Sequence, residues 1–223
     1  MRLVILRILL ALPLSLSLGG CDRAKDAPDQ EIAQSAPLKP NAASQPTTPT
    51  TAPPLPAKAK GPIAQERIIK SSGGMEATIS TKFAGTKAPS AVFTGADGRD
   101  VSLTDFAGRP LLVNIWATWC APCKAEMPLI DALAAAQSGR ISVIAVSQDL
   151  EGRAPVRAFF DSAGIKNLEP YTDRDIGLSP ALGTNIALPT TILYDSDGKE
   201  VWRVTGAVEW SEPALLPLLG EAS

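Results

Sequence analysis

The chain has 223 residues, which at ~100–200 per domain is room for one domain with appendages. Its 21 Lys+Arg against 23 Asp+Glu give a formal charge of −2, which excludes the sequence-independent grip on phosphates that nucleic-acid binding needs. Histidine is absent, so Ser-His and Cys-His nucleophile pairs and His-ligated metal sites are excluded too, leaving three cysteines and 20 prolines to be placed.

Residues 1–20 read as an export signal. Arg2 and Arg7 make a short basic start, and Ile8 to Leu18 form an apolar core that ends in Gly19-Gly20. That core is too short to span ~30 Å of hydrocarbon as a permanent helix. Leu18-Gly19-Gly20-Cys21 resembles a bacterial lipobox. The resemblance implies cleavage before Cys21, a thioether to diacylglycerol on its sulfur and an acylated amine, and several acyl chains anchor a protein stably where one does not. Asp22 directly after the cysteine resembles an inner-membrane retention signal, so the expected location is the periplasm, lipid-anchored to the inner membrane.

From Cys21 to about residue 79 the chain reads as a tether. Ala36-Pro37-Leu38-Lys39-Pro40 and Gln45 to Pro56 carry no aromatic residue and no sustained periodicity, so they cannot bury enough apolar surface to offset the entropy of ordering. About 50 such residues give a root-mean-square span near ~40 Å.

Residues 80–223 hold the core-forming patterns. Asp97-Gly98 between Ala91-Val92-Phe93 and Val101-Ser102-Leu103 predicts a hairpin at the start of this domain. Leu111 to Trp116 is an apolar run of the kind expected of a strand buried on both faces. Met127, Ile130, Leu133 and Ala134 then recur at helical spacing, with Gly139 as a stop, and Ile141 to Val146 is the next strand. Strand, helix and strand with short connections make a βαβ unit with parallel strands. Pro155 to Ala163 predicts a further helix, Thr191 to Tyr194 and Val201 to Val204 a hairpin, and Pro213 to Leu219 a terminal helix that Pro217 fits awkwardly.

The chemistry falls where the first strand of the βαβ unit meets its helix. Cys120-Ala121-Pro122-Cys123 puts two thiols at a helix N-terminus, where unpaired N–H groups and the positive end of the dipole favour a thiolate. Cys120 is then the nucleophile, and Cys123, one turn further in, the resolving thiol. Pro122 lies where a missing N–H costs little. A purely structural disulfide closing so short a loop would contribute only about 2 kcal/mol. A zinc site lacks ligands here, whereas a two-coordinate Cu(I) thiolate site and two incidental buried cysteines stay open as other readings.

Val113-Asn114-Ile115-Trp116-Ala117-Thr118-Trp119-Cys120-Ala121-Pro122-Cys123-Lys124-Ala125-Glu126-Met127-Pro128 resembles the active-site stretch of TlpA/ResA-type thioredoxin-like proteins. Ala88-Pro89, Ser102 to Phe106, Leu188-Pro189-Thr190-Thr191 and Asp197-Gly198 extend the likeness over the whole domain. The resemblance implies an α/β thioredoxin fold with an N-terminal β-hairpin extension and a central helical insertion. It implies a cis Pro189, with Leu188 offering backbone groups to a substrate chain and Trp119, Ala121 and Pro122 beside it. Two departures matter. Where ordinary thioredoxins carry a buried Asp six residues before the first Cys, this chain has Asn114, which cannot titrate. Glu126, three residues after Cys123 on the same helix face, becomes the candidate for proton transfer. The dipeptide Ala121-Pro122 is neither the Gly-Pro of thioredoxin nor the Pro-His of strong oxidants, and the missing His leans towards a reductant. The implied activity is a thiol:disulfide oxidoreductase with no cofactor or metal beyond its own cysteine pair. Its implied clients are disulfide-containing envelope proteins of cytochrome c or copper-site maturation, and its implied electron donor is a DsbD- or CcdA-like membrane protein. A thiol-based Cu(I) chaperone and a non-catalytic docking module are the alternatives.

Overall fold

The computed structural model describes residues 66–222 apart from 72, 184 and 185. The expected leader, the expected lipidation site Cys21 and the expected tether as far as residue 65 lie outside the described residues. The strands are β1 (Glu66–Lys70), β2 (Glu76–Ser80), β3 (Val92–Thr94), β4 (Asp100–Ser102), β5 (Leu111–Trp116), β6 (Ser142–Ser147), β7 (Pro170–Thr172), β8 (Thr190–Tyr194) and β9 (Glu200–Thr205). The helices are α1 (Ala121–Ala136), α2 (Arg153–Ala163), α3 (Leu178–Ala181) and α4 (Leu216–Leu219). The strands form one sheet in the order β1-β2-β9-β8-β5-β6-β7-β3-β4.

Strand β5 is buried at every residue, and its period-2 alternation feeds a different core on each face. Leu112 and Trp116 join Met127 and Ile130 of α1, Val156 and Phe160 of α2, and Leu218 and Leu219 of α4. Leu111, Val113 and Ile115 join Phe93, Leu103, Leu178 and Ile192 on the other side. Trp116 stacks on Phe160 with centroids 5.7 Å apart, which ties α2 to the strand that leads into the cysteines.

Pairing along β5 sets where the site lies. It runs parallel to β6, with Trp116 opposite Ser147, and antiparallel to β8, with Ile115 opposite Thr190. The end of β5, the end of β6 and the start of β8 therefore share one end of the sheet. The βαβ unit expected from the sequence is β5-α1-β6, and the hairpin expected around Asp97-Gly98 is β3-β4.

Two expectations need correction. Among the described residues the sheet already includes Glu66–Ser80, ahead of the expected start near residue 80, because β1 and β2 form an antiparallel hairpin that joins the sheet through β2 and β9. Burial of Ile69, Ala77 and Ile79 is what holds this hairpin, and its brief apolar content is diluted by polar neighbours in the sequence. The terminal helix spans only Leu216–Leu219, with Pro217 in its first turn, where no N–H is needed; Pro213 lies ahead of it.

Gly206 fixes the turn that leaves β9. Its φ is +101°, and a Cβ there would meet Glu76 O at 2.8 Å and Ala77 Cα at 3.0 Å. Gly206→Ala is expected to destabilise the fold by about 3 kcal/mol, through both the left-handed backbone and the clash with β2. A urea unfolding midpoint equal to that of the wild type would show that β2 yields freely.

Candidate active site

Cys120 is the N-cap of α1, in extended backbone, and its sulfur is bonded to that of Cys123 at 2.01 Å. Cys123 N–H donates to Cys120 Sγ at 3.3 Å. A charge on that sulfur would meet a backbone donor and the positive end of a 16-residue helix. Access is unequal: Cys120 is 7% exposed and Cys123 is fully buried. Trp119 is 68% exposed, and Ala121 and Pro122 are exposed beside it. Of the two sulfur-bearing residues, Cys120 is therefore the one with surface of its own.

The turn before the cysteines is held from β6. Thr118 donates to Asp149 through its backbone N–H at 2.9 Å and its hydroxyl at 2.6 Å. Ser147 Oγ donates to the same carboxylate at 2.5 Å. Asp149 is buried and was not singled out from the sequence; its only signal is the polar Ser147-Gln148-Asp149 that closes an apolar strand.

One turn into α1, Glu126 is 1% exposed. Its Oε1 accepts from the Trp210 indole N–H at 2.7 Å and from Val208 N–H at 3.0 Å. Among the described residues its Oε2 accepts only from Asn114 Nδ2, at 3.3 Å, and Asn114 also donates to Thr191 Oγ1 at 2.9 Å. Burial pushes the Glu126 carboxyl up to about 7, against the opposing pull of these three donors. Asn114 therefore stands as a hydrogen-bond partner of the buried acid. Oε2, with one long hydrogen bond, is the oxygen with capacity for a proton. Trp210 could not have been anticipated, since 84 residues separate it from Glu126 and only the folded C-terminal segment brings them together.

The Leu188–Pro189 peptide is cis. Pro189 precedes β8, so the register places it at the same end of the sheet as the cysteines, on the strand next to β5. Pro189 O accepts from Gly206 N–H at 2.9 Å, and Thr190 Oγ1 donates to Ala187 O at 2.6 Å, which pins the loop. Leu188 is half-buried. Ala121, Pro122, Cys123 and Glu126 thus lie on the first turns of α1, Cys120 caps it and Trp119 precedes the cap, with Leu188 and the buried Pro189 at the entry to neighbouring β8.

The Redoxin family profile matches residues 83–217, well over half of the chain. The thiol-disulfide oxidoreductase ResA of Bacillus thuringiensis (strain Al Hakam) is 32% identical over 123 residues, covering 55% of this chain and 69% of that protein. ResA of Bacillus subtilis (strain 168) is 33% identical over 125 residues, covering 56% and 68%. Among solved structures, the exposed lipoprotein thioredoxin of Streptococcus pneumoniae is 27% identical with a TM-score of 0.50, covering 58% of this chain and 97% of that one. A Chlorobium tepidum structure described as a thiol:disulfide interchange protein DsbE superposes with a TM-score of 0.54 at 24% identity, covering 63% and 98%, and shares the fold. With a reachable and a buried cysteine joined at the head of α1, these likenesses make the chain a member of the Redoxin family, a TlpA/ResA-type thioredoxin-like thiol:disulfide oxidoreductase.

Proposed function

We propose that this oxidoreductase works as a membrane-tethered periplasmic reductant of disulfides in envelope proteins. The observation that carries the reading is the pairing of a reachable Cys120 with a buried Cys123 whose helix also buries a carboxyl near neutrality. In the reduced protein, the Cys120 thiolate attacks a client disulfide, forming a mixed disulfide and releasing one client thiolate. Glu126 takes the proton of the Cys123 thiol. The resulting thiolate attacks Cys120 Sγ, re-forming the Cys120–Cys123 disulfide and expelling the second client thiolate. Two electrons pass to the client, and a membrane dithiol of the DsbD or CcdA kind restores the reduced pair. Trp119, Ala121, Pro122 and the half-buried Leu188 supply the surface that receives the client chain, with the buried cis Pro189 shaping the backbone behind it.

Lipidation at Cys21 accounts for the tether, and the lipoprotein character stated for the pneumococcal relative supports it. The family resemblance points to clients in cytochrome c or copper-site maturation. Absence of a His between the cysteines supports the reducing direction. The deciding experiment is the equilibrium potential of the pair against glutathione and dithiothreitol. A value nearer the ~−270 mV of thioredoxin than the ~−120 mV of DsbA is expected, and the opposite ordering would make the protein an oxidant.

A further inference from the structure

A partner sulfur that reaches Cys120 must settle on the surface around it, since the residue is only 7% exposed. Among the described residues, Ile68, Val92, Trp119, Leu150 and Ile176 are the large apolar side chains left exposed. Three of them sit on loops leaving the same end of the sheet: Trp119 after β5, Leu150 after β6 and Ile176 after β7. These are adjacent parallel strands, so the loops emerge roughly 5 Å apart.

Polar contacts beneath lock the three loops together. Thr118, beside Trp119, donates to Asp149, beside Leu150. Gln148 Nε2 donates to Asp173 Oδ2 at 2.8 Å, and Asp173 N–H donates to Ser147 O at 2.7 Å. The Asp173 carboxylate then accepts from Gly177 and Leu178 N–H at 3.0 and 2.9 Å, which shapes the turn carrying Ile176. A Cβ on Gly152 would lie 4.0 Å from Arg174 Cδ, so the second and third loops run close together. Ile176 holds a φ of +52°, a left-handed conformation unfavourable for a β-branched residue, while its side chain remains 40% exposed. The loop fixed by the buried Asp173 carboxylate thus presents a strained isoleucine to solvent, and strain of this kind concentrates at functional sites.

We propose that Trp119, Leu150 and Ile176 form a docking rim for an apolar stretch of the client polypeptide flanking its reactive cysteine. The rim lies on the β6 and β7 side of Cys120; Pro189 heads β8 on the other side, so a client chain crossing the sulfur meets both. Exposed charges around the rim, Lys124 on α1 with Glu151, Arg174 and Asp175 on the loops, are two of each sign and provide no net preference, which leaves apolar contact to select. The inference rests on the oxidoreductase reading and adds the chemistry of what is bound.

The test uses the full reduced chain with three substrates: a disulfide peptide with Leu and Phe flanking the cysteine, the same peptide with Ser and Gln there, and 2-hydroxyethyl disulfide. Wild-type kcat/KM is expected to favour the apolar peptide about tenfold, the factor that partial burial of two such side chains supplies. The double variant Leu150→Ser, Ile176→Asn should bring the ratio within about twofold and leave the small disulfide's rate unchanged; Asn accepts the left-handed backbone, so the loop is kept. A preference that survives in the double variant, or a wild type that shows none, overturns the proposal while leaving the oxidoreductase reading intact. A wild type that dimerises through this rim, with the variant monomeric in sedimentation, would assign the surface to a second copy instead. Failure of the wild type to exchange even with 2-hydroxyethyl disulfide would overturn the parent reading itself.

Discussion

Replacing Cys123 with serine is expected to turn the protein from a turnover catalyst into a trap. Cys120 keeps its place as N-cap, with the same backbone donor and helix dipole on its sulfur, so the first attack on a client disulfide proceeds. Resolution then has no internal nucleophile, because no other cysteine is present within the domain. Mixed disulfides through Cys120 should accumulate, and steady-state reduction of a protein disulfide should fall by at least about 10³-fold, the usual scale for loss of a covalent nucleophile. Cys120→Ser should lose the same activity and trap nothing, since Cys123 is fully buried and out of a client's reach. Non-reducing electrophoresis with mass spectrometry of the adducts separates the two variants. Equal trapping through Cys123 in Cys120→Ser would refute the assigned order.

Much of this arrangement is legible in the chain, and the exceptions have a common cause. Strands β5, β6, β8 and β9 lie within one residue of the apolar runs that predict them, because each run is either buried on both faces or bounded by a clear turn. The cysteine pair is legible for the same local reason: a strand, a C-X-X-C and a helical period follow in direct succession. Hairpin β1-β2 escapes notice because Glu66-Arg67-Ile68-Ile69-Lys70 has little apolar content of its own and owes its place to β9. Asp149 and Trp210 escape it because their partners, Thr118 and Glu126, are 31 and 84 residues away. Glu126 is intermediate. Its spacing from Cys123 marks it as a candidate, yet Lys124 and Ala125 beside it are exposed, and only the packing of the C-terminal segment turns a surface-type residue into a buried acid.

Glu126→Gln is the second change with a large expected effect, and its signature is in pH. On the proton transfer proposed above, ionised Glu126 accepts the Cys123 proton and protonated Glu126 does not. In the wild type the resolving step should therefore speed up as pH rises through about 7 and level off above it. The glutamine variant should lack this limb and run about 10²-fold slower above it, at the lower end of what a positioned base contributes. Stability carries the mirror image. The carboxyl moves from an ordinary 4.5 to about 7 on folding, so the folded state holds the extra proton between those values. The contribution is fully present below 4.5 and is lost as pH rises through about 7, a fall of about 3 kcal/mol that Glu126→Gln should abolish. Urea unfolding at either end of that window measures it. Trp210→Phe supplies the graded control: it removes the 2.7 Å donor that favours the ionised form while Val208 N–H remains, so the kinetic limb should move to higher pH without disappearing. A limb that stays in place in Trp210→Phe and persists in Glu126→Gln would transfer the proton role to solvent, because both changes act on the same carboxylate through independent atoms.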